Sequence, residues 1–257
     1  PWALGAIMNT LGPASIWYRI AIYFYLHFQY NGWMMMALLG IFLFVLNQNG
    51  QGIGKRFFRR IFWFINTGIL LSFFLSSLWI EPHWSIYFLG ALGALLQLIA
   101  FFLILKWLLK SYRRKSNTKK VPWSGALLFS LIGLKLVLQL ASGFPFIAHL
   151  AATILDFAIG YLHLVFLGII TLAILILSKK LGWLMIPKWA IGLYLLGFFG
   201  SEFLIFYRGF AAWWGYSPLS NHTSILAGVS GLMLVGLLGI FLKNRAKKER
   251  ELYSNST

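Results

Sequence analysis

Long apolar runs alternate with short polar intervals along nearly the whole chain. Seven of them stand out, at about 23–46, 61–80, 84–109, 122–143, 157–178, 188–207 and 223–242. A helix needs about 20 apolar residues to cross the hydrocarbon core, so each run predicts one transmembrane span. The expected fold is all-α: a polytopic transmembrane helix bundle of about seven spans over 1–243, followed by a basic cytoplasmic tail at 244–257. Before the first span, Pro1–Ile22 contains Gly12 and Pro13 and reads as an outer loop or the end of an earlier helix. No charged leader or cleavage site precedes the apolar material, which predicts that the chain begins inside a longer protein.

Composition sharpens this picture. Of 257 residues 60% are hydrophobic and 11% charged, with a mean hydropathy of +0.79. A soluble domain carries roughly 25% charged residues, so lipid must serve as much of the solvent here. Cysteine is absent, which excludes disulfides, iron–sulfur ligation and thiolate zinc sites.

The excess of basic over acidic residues, 22 against 5, would fit nucleic acid if it were spread over a surface. It is not. The basic residues cluster as Lys55, Arg56, Arg59 and Arg60; as Lys106, Lys110, Arg113, Arg114, Lys115, Lys119 and Lys120; as Lys179, Lys180 and Lys188; and as Lys243, Arg245, Lys247, Lys248 and Arg250. These groups follow alternate spans and so share one membrane face, whereas the other keeps only Arg19 and Arg208. The positive-inside rule then predicts a multi-pass protein of a bacterial inner membrane with its C-terminus in the cytoplasm. No nucleic acid is expected, and anionic lipid is the simplest partner of the basic loops. Trp17, Tyr18, Trp84, Trp213, Trp214 and Tyr216 fall in the opposite loops, as interfacial anchors do.

Two histidines lie within spans, and their surroundings match. Tyr25-Leu26-His27 is followed by four residues and Gly32; Tyr161-Leu162-His163 is followed by four residues and Gly168. The interval contains four spans, so the fifth span reads as a repeat of the first. From the predicted span boundaries both imidazoles lie about 6–9 Å below the outer boundary at 1.5 Å per residue. Parallel helices and matched depth suit a shared metal or haem centre, and intramembrane ionisable groups usually face the interior. The plainer reading is a pair of histidines hydrogen-bonded between helices. The glycine five positions on would admit a neighbouring helix closely.

A helical His, four residues and Gly, recurring every four spans, is similar to subunit I of the haem-copper oxidase superfamily, including nitric oxide reductase. Tyr-Leu-His-Phe-Gln-Tyr-Asn-Gly-Trp also resembles a phrase in uncharacterised bacterial members. The resemblance implies a four-span internal repeat, with the seven spans here matching the family's last seven. It also implies haem, with His27 and His163 as cofactor- or metal-binding residues. There are three departures, and with the histidines missing a three-histidine copper site cannot be built from these spans. Tyr161 stands where the family has the ligand of its catalytic haem, Asn31 stands where oxidases have a tyrosine, and Ile61–Ile80 lacks the family's two adjacent histidines. His163 matches the low-spin haem ligand, whose partner would lie upstream of Pro1.

Further polar residues sit in the apolar runs. Lys135, with Gln139 one turn away, reads either as a proton-path residue or counter-ion, or as a neutral or water-solvated lysine. Asp156 opens the fifth span, where a helix N-terminus favours a carboxylate, and Glu202 with Arg208 nears the outer face as a candidate pair. Lys135, Asp156 and Glu202 together form a candidate proton path. Gln97 reads as interhelical glue. Gly90, Gly93, Gly228, Gly231, Gly236 and Gly239 predict tight helix packing. His83, His149 and His222 fall in outer loops without a ligand spacing.

The leading expectation is a haem-binding or respiratory electron-transfer protein resembling haem-copper oxidase subunit I without its copper, with other subunits of a respiratory complex as partners. The alternatives are a transporter or channel, or a non-catalytic subunit of a membrane complex. Whether the chain is an enzyme is open at this point.

Overall fold

The computed structural model describes residues 2–115 and 122–254, and every described element is helical. Among the described residues seven helices are long and apolar enough to cross a membrane. The chain is therefore a multi-pass membrane protein. In order the elements are α1 (Trp2–Leu11), α2 (Ile16–Gln48), α3 (Lys55–Ile80), α4 (Trp84–Lys115), α5 (Trp123–Ala141), α6 (Pro145–Thr153), α7 (Leu155–Lys180), α8 (Lys188–Trp213) and α9 (His222–Ser254). The predicted basic-loop residues Lys119 and Lys120 lie outside the described residues, as do 255–257 of the predicted tail. The rest of that tail continues α9 as helix to Ser254.

The helix ends follow from local chemistry. The predicted outer segment is the short helix α1, closed by Gly12 at φ 82° ahead of Pro13. Ser15 then caps α2, its hydroxyl accepting from Tyr18 N–H at 3.2 Å. The first span thus begins seven residues before the apolar run does, and Trp17, Tyr18 and Arg19 lie on it rather than in a loop. His27 stands eleven residues into α2 and His163 eight into α7, about 16 and 12 Å along the helix axes. Both histidine-bearing spans end alike. Gly50 and Gly182 take positive φ, and the following N–H groups reach back, Gln51 to Leu46 O and Trp183 to Ser178 O, both at 2.9 Å.

By contact the chain forms two compact units, Pro1–Thr153 and Ile154–Thr257. In the first, α3 and α4 approach through small residues. A Cβ on Gly68 would stand 2.9 Å from Gly93 O and 2.8 Å from Gln97 Cγ. After Ser72, α3 tightens to a 3₁₀ segment, Phe73–Ile80, which packs against the start of α2 and against α6. Glu81, at φ 49°, ends it ahead of Pro82, a residue that disfavours helix in its predecessor. Arg19 lies 4.2 Å over the Trp79 ring, a cation–π contact at the end of the span pair.

In the second unit α8 is the central helix and packs on both α7 and α9. Gly160 and Gly168 of α7 face Phe206 and Phe198, and Gly209 of α8 faces Asp156. Against α9, a Cβ on Gly197 would meet Met233 N at 2.8 Å and one on Gly236 would meet Ala190 O at 2.6 Å. The predicted close packing holds for Gly90, Gly93, Gly236 and Gly239. Gly228 and Gly231 have no neighbour within 4 Å. Asn244 clasps the turn before α8, accepting from Met185 N–H at 2.8 Å and donating to Met185 O at 2.9 Å.

Candidate functional site

Each histidine of the repeated element is the last residue before the backbone widens. Phe28–Met34 and Leu164–Thr171 are both π-helical, beginning one position after His27 and His163. A π turn inserts a residue into the helical ladder and frees carbonyl groups from it, and such turns recur at functional sites. In α7 the freed groups find side-chain donors: Tyr194 O–H donates to Leu167 O at 2.7 Å, and Thr171 donates to Phe166 O at 2.9 Å. The shared phrase therefore carries a shared backbone distortion.

The two imidazoles are nevertheless engaged differently. His27 is 2% exposed. Its Nε2 lies 2.9 Å from Ile69 O and its Nδ1 lies 3.3 Å from Asn31 Nδ2. Asn31 Oδ1 accepts from Lys135 Nζ at 2.7 Å, and Lys135 also donates to Gln139 Oε1. An ammonium can only donate, so the amide of Asn31 must turn its oxygen to Lys135 and its NH₂ to His27. His27 Nδ1 then accepts, and Nε2 carries the proton donated to Ile69 O. One neutral tautomer follows from the network.

Ile69 can accept because its helix changes character. In an unbroken α-helix the Phe73 N–H would bond Ile69 O; here it turns to Leu71 O at the start of the 3₁₀ segment. Ile69 O takes the His27 ring and Ser72 Oγ at 3.2 Å, and Gln97 donates to Ser72 Oγ at 2.8 Å and to Gly68 O at 3.0 Å. Gln97, read from sequence as glue, does join two helices. A single polar chain thus links α4, α3, α2 and α5 inside the first unit. Ile69 O and Ser72 carried no sequence signal, since a main-chain acceptor is exposed only by the helix transition.

His163 belongs to the second unit. Its side chain is 36% exposed and makes no hydrogen bond among the described residues; Nδ1 is buried 3.8 Å from Glu202 Oε1. Both Glu202 oxygens are buried without a hydrogen-bond partner. Two turns towards the start of α7, Asp156 accepts from Arg208 Nε at 2.7 Å and also from its Nη2. Arg208 therefore pairs with Asp156 and not with Glu202. Six residues apart on one helix, Glu202 and Arg208 lie about 240° apart around the axis. Asp156 is held across helices, and no side chain caps α7.

The three residues of the candidate proton path are held separately within the two units. Lys135 joins His27 through Asn31, Glu202 faces His163, and Asp156 pairs with Arg208. Among the histidines placed in outer loops, His222 is instead the first residue of α9, 3% exposed, donating from Nε2 to Leu204 O at 2.9 Å. A ring docked on a backbone carbonyl fixes the α8–α9 corner. His149, on α6, lies 3.5 Å from Glu81, both well exposed, and His83 Nδ1 contacts Ser85 Oγ at 3.0 Å. Among the described residues no three or more His, Cys, Asp or Glu side chains converge as metal ligands.

The implied haem can be tested against these surroundings. His27 does not fit as a ligand, since coordination at either nitrogen would break a buried hydrogen bond and strand its partner. His163 fits, because a ligating imidazole commonly turns its second nitrogen to a carboxylate, and Glu202 stands on that side. No protein-family model matches the chain, and no curated protein or solved structure matches it.

Proposed function

We propose that the chain is the membrane domain of a haem-binding, respiratory-type protein resembling subunit I of the haem-copper oxidases but without the copper site. His163 is the residue of these spans that would hold the haem, and a second ligand would have to be supplied from elsewhere. The observation that carries this reading is the His163 imidazole itself, free of hydrogen bonds and backed at Nδ1 by a buried carboxylate. The π turn that follows both His27 and His163 supports the four-span repeat. The clustering of basic residues after alternate spans supports a bacterial inner-membrane location with the C-terminus in the cytoplasm.

A haem held at His163 would supply one-electron redox chemistry. Residues of this chain would set its conditions. Glu202 Oε1, 3.8 Å from Nδ1, stands where it would orient the imidazole and strengthen it as a donor by accepting from Nδ1, and Phe198 packs against α7 at Gly168. Asp156 and Arg208 hold α7 to α8 and keep the ligand helix in register. Full-length protein, expressed with haem supplied and purified in detergent, is expected to show a Soret band at about one haem per chain. A colourless preparation under those conditions counts decisively against the proposal.

A second reading is favoured by one separate observation. Lys135 is 2% exposed near the middle of a span, as solute- or proton-path residues of transporters are. Solute uptake by proteoliposomes that is lost in Lys135→Ala and retained in His163→Ala would select this reading over the first.

A further inference from the structure

We propose that the interior of the first unit holds a small inorganic anion, of which a halide is the simplest, coordinated by Lys135 Nζ and Gln139 Nε2. This inference is independent of haem and of His163.

It begins from an imbalance of donors. Lys135 carries three N–H groups as an ammonium, and two are used, on Asn31 Oδ1 and Gln139 Oε1. Because Gln139 must turn its oxygen to the ammonium, its amide nitrogen has no freedom to flip. That nitrogen is fixed as a donor, and it is buried with no partner. Gln139 itself is 6% exposed. Oε1 and Nε2 share one carbon atom, so the orphan donor lies beside the ammonium it fails to satisfy. Two neighbouring donors, the third N–H of Lys135 and Gln139 Nε2, have no acceptor among the described residues.

Charge points the same way. The only acidic residue in the first 153 positions is Glu81, which lies exposed in the turn after α3 near His149. The partners in the Lys135 network are neutral: Asn31, Gln139, the Asn31-bound His27, and the carbonyl of Ile69. Buried charges elsewhere in membranes pair with opposite charge or reach water. In the second unit the chain obeys that rule, pairing Arg208 with Asp156. The first unit supplies no buried carboxylate to answer Lys135, and a bound anion would provide the counter-charge. An anion satisfies charge and orphan donor together, whereas a water molecule would answer only the second.

The test uses full-length protein in detergent or nanodiscs, with thermal unfolding followed in sodium bromide against sodium gluconate at equal ionic strength. Bromide is expected to raise the melting temperature, the shift growing with the logarithm of bromide concentration as for a ligand of the folded state. Gln139→Glu puts a carboxylate beside Lys135 and is expected to remove the bromide dependence while keeping the fold. Lys135→Met is expected to remove it as well. If that variant does not fold, crystals grown in bromide provide the second readout, with an anomalous peak beside Lys135 Nζ expected in wild type and absent in Gln139→Glu. Identical melting in the two salts overturns the proposal, as does a bromide shift that survives in Gln139→Glu.

Discussion

Two stretches of this chain share a phrase and a backbone, yet diverge in chemistry. Tyr-Leu-His opens a π turn at His27 and again at His163. At His27 the fourth residue on is Asn31, which delivers the ring to Lys135 on one side while Ile69 O holds it on the other. At His163 the fourth residue is Leu167, which offers only a carbonyl, and Tyr194 takes that. No polar side chain of its own helix engages the second imidazole, and it is left to face Glu202. Amide against isobutyl at that position, together with the Ile69 carbonyl, leaves the first ring hydrogen-bonded at both nitrogens and the second at neither among the described residues.

Substitutions at equivalent positions can break this contrast. The largest effect is expected at the rings. His163→Ala should lower haem content of the purified full-length protein at least tenfold, while His27→Ala should retain it, as read from the reduced haemochrome spectrum. Next is Asn31→Leu, which copies the second element into the first. It strands His27 Nδ1 and removes one of two acceptors from a buried ammonium, so unfolding in detergent should be easier by about 3 kcal/mol. Leu167→Asn should cost less, because a π turn beside a half-exposed ring leaves an added amide other routes to water.

The glycines of the two elements sharpen the comparison further. A Cβ on Gly168 would come within 2.5 Å of Phe198 Cζ, on a ring that is fully buried. Gly168→Ala should therefore destabilise by about 2 kcal/mol through overpacking. A Cβ on Gly32 meets only Phe28 of its own helix, at 3.5 Å. Gly32→Ala should be neutral or stabilising by about 0.5 kcal/mol, since glycine costs entropy inside a helix. The smallest effect belongs to the ion pair. A double-mutant cycle over Asp156→Asn and Arg208→Gln should return a coupling of about 1 kcal/mol.

The spans could be read from hydropathy because lipid imposes one continuous requirement on some twenty residues at a time. Where a local interaction set the boundary, the reading slipped at one end: Ser15 starts α2 well ahead of the apolar run, whereas α3 ends at Ile80, as read, before Glu81 and Pro82. Gln139 was legible as a neighbour of Lys135 from its spacing one turn away, and that contact is present. The closing of the network on Ile69 O was invisible, as it depends on where α3 changes pitch. The choice of Asp156 over Glu202 as the partner of Arg208 is a cross-helix matter that one helix's periodicity does not encode. Gly168 fulfils the close approach expected at both repeated glycines and Gly32 does not, because only α7 has a helix packed against that face.

The divergence of the two histidines can be observed directly by solid-state NMR of full-length protein labelled with ¹⁵N-histidine, before and after loading with ferric haem. The His27 signals, assigned by their loss in His27→Gln, are expected to show the Nε2–H tautomer and to stay unmoved on loading, while those of His163 shift and broaden. Broadening of His27, or a His163 signal indifferent to haem, would contradict the division of roles between the two rings.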